Sequence, residues 1–260
     1  MTICVSVKSR DGVVLGTDSM MQVMLQGPTG QLGFANSYTN ARKLLQVGQL
    51  PIGVFTYGAG NLGSRSISGL IMDFSTQNKA KRVEEVAAGL SDAIGKAYSS
   101  ATGNAPESQK PILGLFVAGY SPHSALAEEW EVEFPSRPTP QPVRPSHDFG
   151  ASWRGVPMPF SRLHNGFDPR HVDMLRQLGV SEQIIEQVFQ NNQYAAQVFF
   201  DAMPVQDAIN FAAYVLRTTI AFAEFEIGPS PCGGPLQLAA ITHENGFCWI
   251  NEPKLSYPEG

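Results

Sequence analysis

The chain has 260 residues, 43% hydrophobic and 16% charged, which suits a packed globular core and argues against wholesale disorder. Eighteen basic against 23 acidic residues leave a formal charge of −5 and no basic stripe, which disfavours a nucleic-acid partner. Three scattered cysteines, Cys4, Cys232 and Cys248, make neither a disulfide framework nor a zinc site, and they fit a reducing compartment. No apolar run reaches the roughly 18 residues of a membrane span. The longest, Ile209 to Phe225, is broken by Asn210, Arg217 and Glu224. The N-terminus has no basic segment followed by an apolar block, so no signal peptide and no membrane partner are expected, and the expected location is cytoplasmic.

Residues 2–7 are β-branched and roughly alternating, which predicts a strand. Arg10-Asp11-Gly12 is a hairpin turn, and 13–18 a second, more buried strand ending at Asp18. Residues 26–40 read as a loop or extended hairpin, 43–47 and 51–57 as two further strands. Gly58 to Gly63 breaks the last of these. Helices follow over 64–74 and 80–100, the second with Val83, Val86, Leu90, Ile94 and Ala97 on one face. Residues 112–118 predict a buried strand, and Trp130, Val132 and Phe134 another.

The segment 135–147 carries five prolines and predicts an extended surface loop without regular structure. Helices are expected over 169–178, 181–191 and 205–223, and a terminal hairpin over 236–250 with its turn at Asn245-Gly246. Phe189, Tyr194, Phe199, Phe200, Phe211, Tyr214, Phe222 and Phe225 fall at helical spacing and read as core or subunit interface. Helices paired between groups of strands suggest two stacked sheets with helix layers outside.

Three residues could carry chemistry. If Met1 is removed, Thr2 holds both a hydroxyl nucleophile and its own α-amine as base. Such an amine ordinarily titrates at about 7.7–8.0, so a usable fraction is unprotonated at neutral pH. In an Asp-Gly hairpin, Asp18 lies near residue 2, where a carboxylate can balance an ammonium. Lys43 opens an apolar strand; a lysine beside the Thr2 hydroxyl would lower its pKa and help move its proton, with Asp18 as its partner.

Thr2 opening a strand, Gly16-Thr17-Asp18-Ser19 ending the second, Lys43-Leu44-Leu45 at the third and Gly58 ending the fourth resemble the N-terminal nucleophile (Ntn) hydrolases of the proteasome β-subunit type. The stretch from Lys43 to Gly58 follows that family's lysine-to-glycine segment with one residue extra. Val205 to Tyr214 resembles its last long helix, and Cys232-Gly233-Gly234 its Ser-Gly-Gly turn. The resemblance implies an α+β fold, a four-layer αββα sandwich of two antiparallel β-sheets flanked by helices, as one domain over 1–260. Residues 121–200 are an expanded, Pro-rich insertion.

The resemblance also implies a threonine peptidase: Thr2 as nucleophile and base, Asp18 and Lys43 as charged supports, the Gly58 N–H as oxyanion donor. It implies a peptide or protein substrate, a homo-oligomeric ring and an ATP-dependent unfoldase as a further partner, with no cofactor. The chain departs from the family where Cys232 and Pro229 stand at accessory serine and aspartate positions. The other accessory serine aligns with Ser152. The segment between Asp18 and Lys43 is also longer than usual. These departures place the chain among divergent bacterial proteasome-related proteins.

Two other readings compete. A catalytically impaired structural or assembly subunit would keep the fold, and Pro229 favours it. Gly58-Ala59-Gly60-Asn61-Leu62-Gly63 is a literal GxGxxG after a strand and before a helix, the fingerprint of a dinucleotide-binding oxidoreductase. Against that, no strand with an acidic end soon follows. The five histidines show no metal-ligand spacing, and no HExxH occurs.

Overall fold

The computed structural model describes residues 2–26, 32–103, 105–189 and 195–255. The chain opens with β1 (Ile3–Lys8), β2 (Gly12–Thr17), β3 (Met21–Gln26), β4 (Leu32–Tyr38), β5 (Leu44–Gln46) and β6 (Ile52–Gly58). A small pair, β7 (Asn61–Leu62) and β8 (Arg65–Ser66), leads into α1 (Ile67–Gln77) and α2 (Val83–Thr102). Then come β9 (Leu113–Gly119), β10 (Glu128–Phe134), β11 (Arg137–Pro142) and β12 (Gly150–Gly155). Helices α3 (Met158–Asn165), α4 (Arg170–Gln177), α5 (Glu182–Phe189) and α6 (Val205–Ala223) precede the closing strands β13 (Gln237–Thr242) and β14 (Gly246–Asn251).

Two five-stranded antiparallel sheets face each other, one ordered β12-β1-β2-β13-β14 and the other β11-β10-β9-β6-β5. Alternation along each strand sorts the side chains between two layers. In β1, Ile3, Val5 and Val7 pack with α6, while Cys4 faces the opposite sheet. In β9, Leu113, Leu115 and Val117 pack with α1 and α2, while Phe116 and Ala118 face inward. Helix α6 buries Ala208, Ile209, Ala212, Val215, Leu216 and Thr219 at spacings of three and four. The result is a helix–sheet–sheet–helix sandwich with three apolar layers, as expected from the sequence. In the middle layer Phe55 and Phe116 stack with ring centroids 4.7 Å apart.

The hairpins 2–18 and 236–251 form as expected, but several elements differ. The proline-rich segment is not irregular: Arg137–Pro142 pairs with β10 as an edge strand. An edge strand needs hydrogen bonds on one side only, so prolines that lack an N–H are tolerated there. Strand β12 and helix α3 had no sequence signal, because Gly-Ala-Ser-Trp-Arg-Gly does not alternate and prolines flank the helix start. Residues 21–26 and 32–38 pair as a ribbon of their own; 27–31 lie outside the described residues, as do Met1, Tyr194 and residues 190–191 of the expected helix 181–191. The aromatic series is not simply core: Phe199 is 85% and Phe225 90% exposed.

The dinucleotide reading falls on topology. Strand β6 lies between antiparallel neighbours β5 and β9, whereas the fingerprint belongs to a parallel β-α-β crossover. Helix α1 starts only at Ile67, after Ser66 caps it by accepting the Gly69 N–H. Among the described residues no helix is long and apolar enough to cross a membrane.

Truncating the inter-sheet stack tests the middle layer. Phe116→Ala removes a fully buried ring and should cost about 3–5 kcal/mol, read as a lowered midpoint in urea unfolding.

Candidate active site

The β1–β2 hairpin places Cys4 opposite Thr17, which brings the start of β1 beside Asp18. The Asp18 N–H donates to the Ile3 carbonyl (3.0 Å), and the Ile3 N–H donates to Asp18 Oδ1 (3.2 Å). Thr2, one residue earlier, is 3% exposed. Its carbonyl accepts the Val156 N–H at 2.8 Å. The adjoining Gly155, at φ +89°, passes so close that a methyl there would sit 1.8 Å from the Thr2 oxygen. Thr2 is therefore held by backbone against the end of β12.

Asp18 is fully buried and accepts four hydrogen bonds. Oδ1 takes Lys43 Nζ (2.7 Å) as well as the Ile3 N–H; Oδ2 takes the N–H groups of Met20 (3.2 Å) and Gly233 (2.9 Å). Burial pushes its carboxyl above the usual range, against the Lys43 ammonium and the backbone donors, which pull it down. Lys43 is placed from behind by Gln237 of β13. That side chain accepts the N–H groups of Lys43 and Leu44 and donates to the Ala41 carbonyl. Asp18 thus brings Lys43 to the Ile3 N–H, one residue along β1 from Thr2.

Gly58 ends β6 in the facing sheet. Its φ of +87° and its approach to the Ile112 carbonyl, 2.1 Å from a built methyl, leave room for glycine alone. Thr2 and Gly58 line one cavity of about 530 Å³, walled mainly by Tyr57, Ala59, Ile112, Trp153, Arg154 and Pro157. The cavity is open to a ligand that would touch both residues.

The two accessory residues fare differently. Ser152 is not at the site. It pairs with Ser6, four residues along β1 from Thr2, or about 13 Å at strand rise, and its hydroxyl accepts from Arg144. The alignment with Ser152 fails because the strand end beside Thr2 is formed by Arg154 and Gly155. Cys232 does adjoin the site, since the N–H of the next residue, Gly233, binds Asp18. Burial, and then the Asp18 charge, push its thiol up to about 12, so it stays a protonated thiol packed in the α6 layer.

Sequence reasoning missed a cluster beside Thr2. On β10 the carboxylates of Glu129, Glu131 and Glu133 alternate with Trp130, Val132 and Phe134. Such a face normally meets solvent, yet Glu129 and Glu131 are 1% and 7% exposed because the other sheet covers them. Glu129 accepts Ser6 Oγ and pairs with Arg144. Glu131 takes Arg154 in two contacts, Nε to Oε1 (2.6 Å) and Nη2 to Oε2 (3.2 Å), and also the Tyr57 hydroxyl (2.9 Å). Burial raises the Glu131 carboxyl, but Arg154 outweighs it and holds the group below its ordinary value of 4.5. Burial and the two carboxylates raise the Tyr57 phenol far above its own range, so it stays a donor. Among the described residues no three His, Cys, Asp or Glu side chains gather to hold a metal ion.

Two facing antiparallel sheets between helix layers make an αββα sandwich, an Ntn-like fold. Solved structures similar to it include Anbu (ancestral beta-subunit) proteins. Anbu from Yersinia bercovieri aligns over 97% of this chain and 88% of its own, at TM-score 0.54 and 14% identity. The Anbu complex from Pseudomonas aeruginosa, described as a helical assembly, aligns over 97% and 88% at TM-score 0.56 and 15% identity. The Gly-1 mutant of Anbu from Hyphomicrobium sp. strain MC1 aligns over 96% and 87% at TM-score 0.59 and 14% identity. No protein-family model and no curated protein matches the chain.

These findings correct the resemblance to the proteasome β-subunit family. The structural likeness is to Anbu, a distinct proteasome-like family, and at this identity it shows the fold alone. The short motifs that carried the resemblance lie at the starts and ends of strands. They do not by themselves mark one family among those sharing it.

Two outcomes follow from this geometry. Asp18→Ala leaves the buried Lys43 ammonium unpaired and three backbone donors unmet, and should destabilise the fold by about 3–5 kcal/mol in urea unfolding. Glu131 is held below its unfolded value, so its stabilisation is complete above about 4.5 and is lost as pH falls through the lower folded value. The stability gap between wild type and Glu131→Gln, measured across a pH series, should therefore shrink on acidification below that point.

Proposed function

We propose that the chain is an amidohydrolase acting on peptides through Thr2 as an N-terminal nucleophile, within a self-associated oligomer. The observation that carries this is a buried Thr2 held one residue from the Asp18–Lys43 pair, sharing a cavity of about 530 Å³ with Gly58. Removal of Met1, which lies outside the described residues, frees the Thr2 amine. Unprotonated, that amine takes the hydroxyl proton as Oγ attacks the substrate carbonyl carbon. The carbonyl electron pair moves onto oxygen, where the Gly58 N–H receives it. As the intermediate collapses, the C–N bond breaks and the amine's proton passes to the leaving nitrogen. The acyl ester on Thr2 is then cleared by water activated by the same amine.

The Lys43 ammonium supports the reaction by favouring negative charge near Thr2, and Asp18 keeps that lysine in place. The cavity's apolar walls suit an apolar substrate side chain next to the scissile bond. Self-association rests on large apolar residues left at the surface, among them Phe199, Phe225, Leu178 and Ile227, and on the description of one structural neighbour as a helical assembly. Buried, unpaired Cys4 and Cys232 fit a reducing, cytoplasmic setting for this activity.

A second reading, an assembly subunit without turnover, is favoured by one observation: a protonated Cys232 thiol and Pro229 stand where accessory polar groups would support the amine. Intact mass separates the two, because catalysis requires loss of Met1 and scaffolding does not. Thr2→Ala should abolish peptide hydrolysis and leave the assembly size unchanged in light scattering. Hydrolysis persisting in that variant would refute the mechanism.

A further inference from the structure

The site is split between two sheets. Thr2 belongs to the sheet of β1 and β12, whereas Gly58 ends β6 in the sheet of β9 and β10. Hydrolysis needs the attacking hydroxyl and the oxyanion donor at a fixed separation, so something must hold the sheets in register here. The apolar middle layer, with Phe55 stacked on Phe116, sets their spacing, and directional polar contacts add a constraint on register at the site.

A polar strut crosses the gap at this point. Glu131 of β10 grips Arg154 of β12, which adjoins Gly155 and, through Val156, the Thr2 carbonyl. The same carboxylate accepts the hydroxyl of Tyr57, the residue before Gly58. Tyr57 is aimed there by packing. In the β6–β9–β10 ladder, Tyr57, Gly114 and Glu133 lie side by side. The Tyr57 ring lies across Gly114, where any side chain would fall within 1.9 Å of it. Its hydroxyl thus reaches both Glu131 and Glu133 at 2.9 Å, one phenolic proton shared between two carboxylates. Arg137 flanks the pair at 3.8 Å and 3.7 Å.

We propose that Glu131 is a positioning residue that sets the separation of Thr2 and Gly58 by holding Arg154 and Tyr57 across the two sheets. It touches no reacting atom. The inference rests on the Thr2 reading and extends it to residues outside the catalytic set. Directional hydrogen bonds do what the apolar layer does not, because each fixes an angle as well as a distance.

The test uses full-length protein freed of Met1, with active sites counted by an electrophile that labels the Thr2 amine and hydroxyl. Counting by site removes any effect of a smaller folded fraction. Glu131→Gln keeps the shape but loses the charge that binds Arg154. It should lower kcat per labelled site by about 10- to 100-fold on a fluorogenic peptide amide, with KM changed less than threefold. A peptide aldehyde adds Thr2 Oγ to its carbonyl carbon and presents the resulting oxygen to Gly58. Its Ki should therefore weaken in parallel with kcat/KM, as for a transition-state mimic. Tyr57→Phe keeps the ring over Gly114 and removes one arm only; it should give a smaller loss on the same correlation.

A strut that only stabilises the fold would lower the unfolding midpoint and leave kcat per site and the aldehyde Ki within twofold of wild type. That result would overturn the proposal. If Glu131→Gln does not fold, Tyr57→Phe decides by the same two measurements. Thr2→Ala runs alongside: activity surviving there sinks the nucleophile itself, whereas a dead Thr2→Ala with unaltered Glu131 and Tyr57 variants sinks the positioning role alone.

Discussion

One carboxylate ties the structure together. Asp18 gathers donors from four stretches of chain: Ile3 in β1, Met20 ahead of the β3–β4 ribbon, Lys43 ahead of β5, and Gly233 ahead of β13. A fully buried carboxylate is costly unless such partners surround it, so the four segments cannot drift apart without exposing or stranding a charge. Because Lys43 leads into one sheet and Ile3 and Gly233 belong with the other, the knot also fixes how the sheets meet. Thr2 is placed as a consequence, as the residue before the first of those donors.

The carboxylates of β10 are the second point at which the sheets are joined by polar contacts. The interior between them is therefore not uniform. Phe55, Phe116, Leu15, Val13 and Ile241 fill an apolar region, while Ser6, Glu129, Arg144, Glu131, Arg154 and Tyr57 form a polar strip along the β1–β12 side. Ion pairs of this kind add little net stability over well-packed apolar residues, but breaking one side is costly. What the Arg154–Glu131 pair adds here is direction: its guanidinium meets the carboxylate through two nitrogens, Nε and Nη2. The cavity beside Thr2 opens where this strip reaches the end of β12.

A fold of this kind is a platform, and its chemistry resides in the few side chains that line one end. Here those residues are of two sorts. Thr2 and Gly58 line one cavity, and the Asp18–Lys43 pair is tied to the Ile3 N–H one residue along from Thr2. The turn at Cys232 contributes its backbone to the knot and withholds a polar side chain. That combination distinguishes this site from one built with hydroxyl and carboxylate supports on every side.

Much of the fold was legible in the residues themselves. The Asp11-Gly12 hairpin, the alternating and fully apolar strands, the helical stripe of α2 and the long α6 follow from local periodicity and turn chemistry, which depend only on near neighbours. The hairpin alone brings Asp18 to the start of β1, so half the candidate site was determined locally. The rest was decided between segments distant in sequence. The prolines of 137–142 became a strand because β10 offered an edge that needs few donors. Ser152 and Arg154 exchanged importance because the register of β12 on β1, which no local pattern sets, put Arg154 at the end beside Thr2. The glutamates of β10 look like a solvated face in the sequence and are interior in the molecule, since which side of a strand a second sheet will cover is a property of the packed whole.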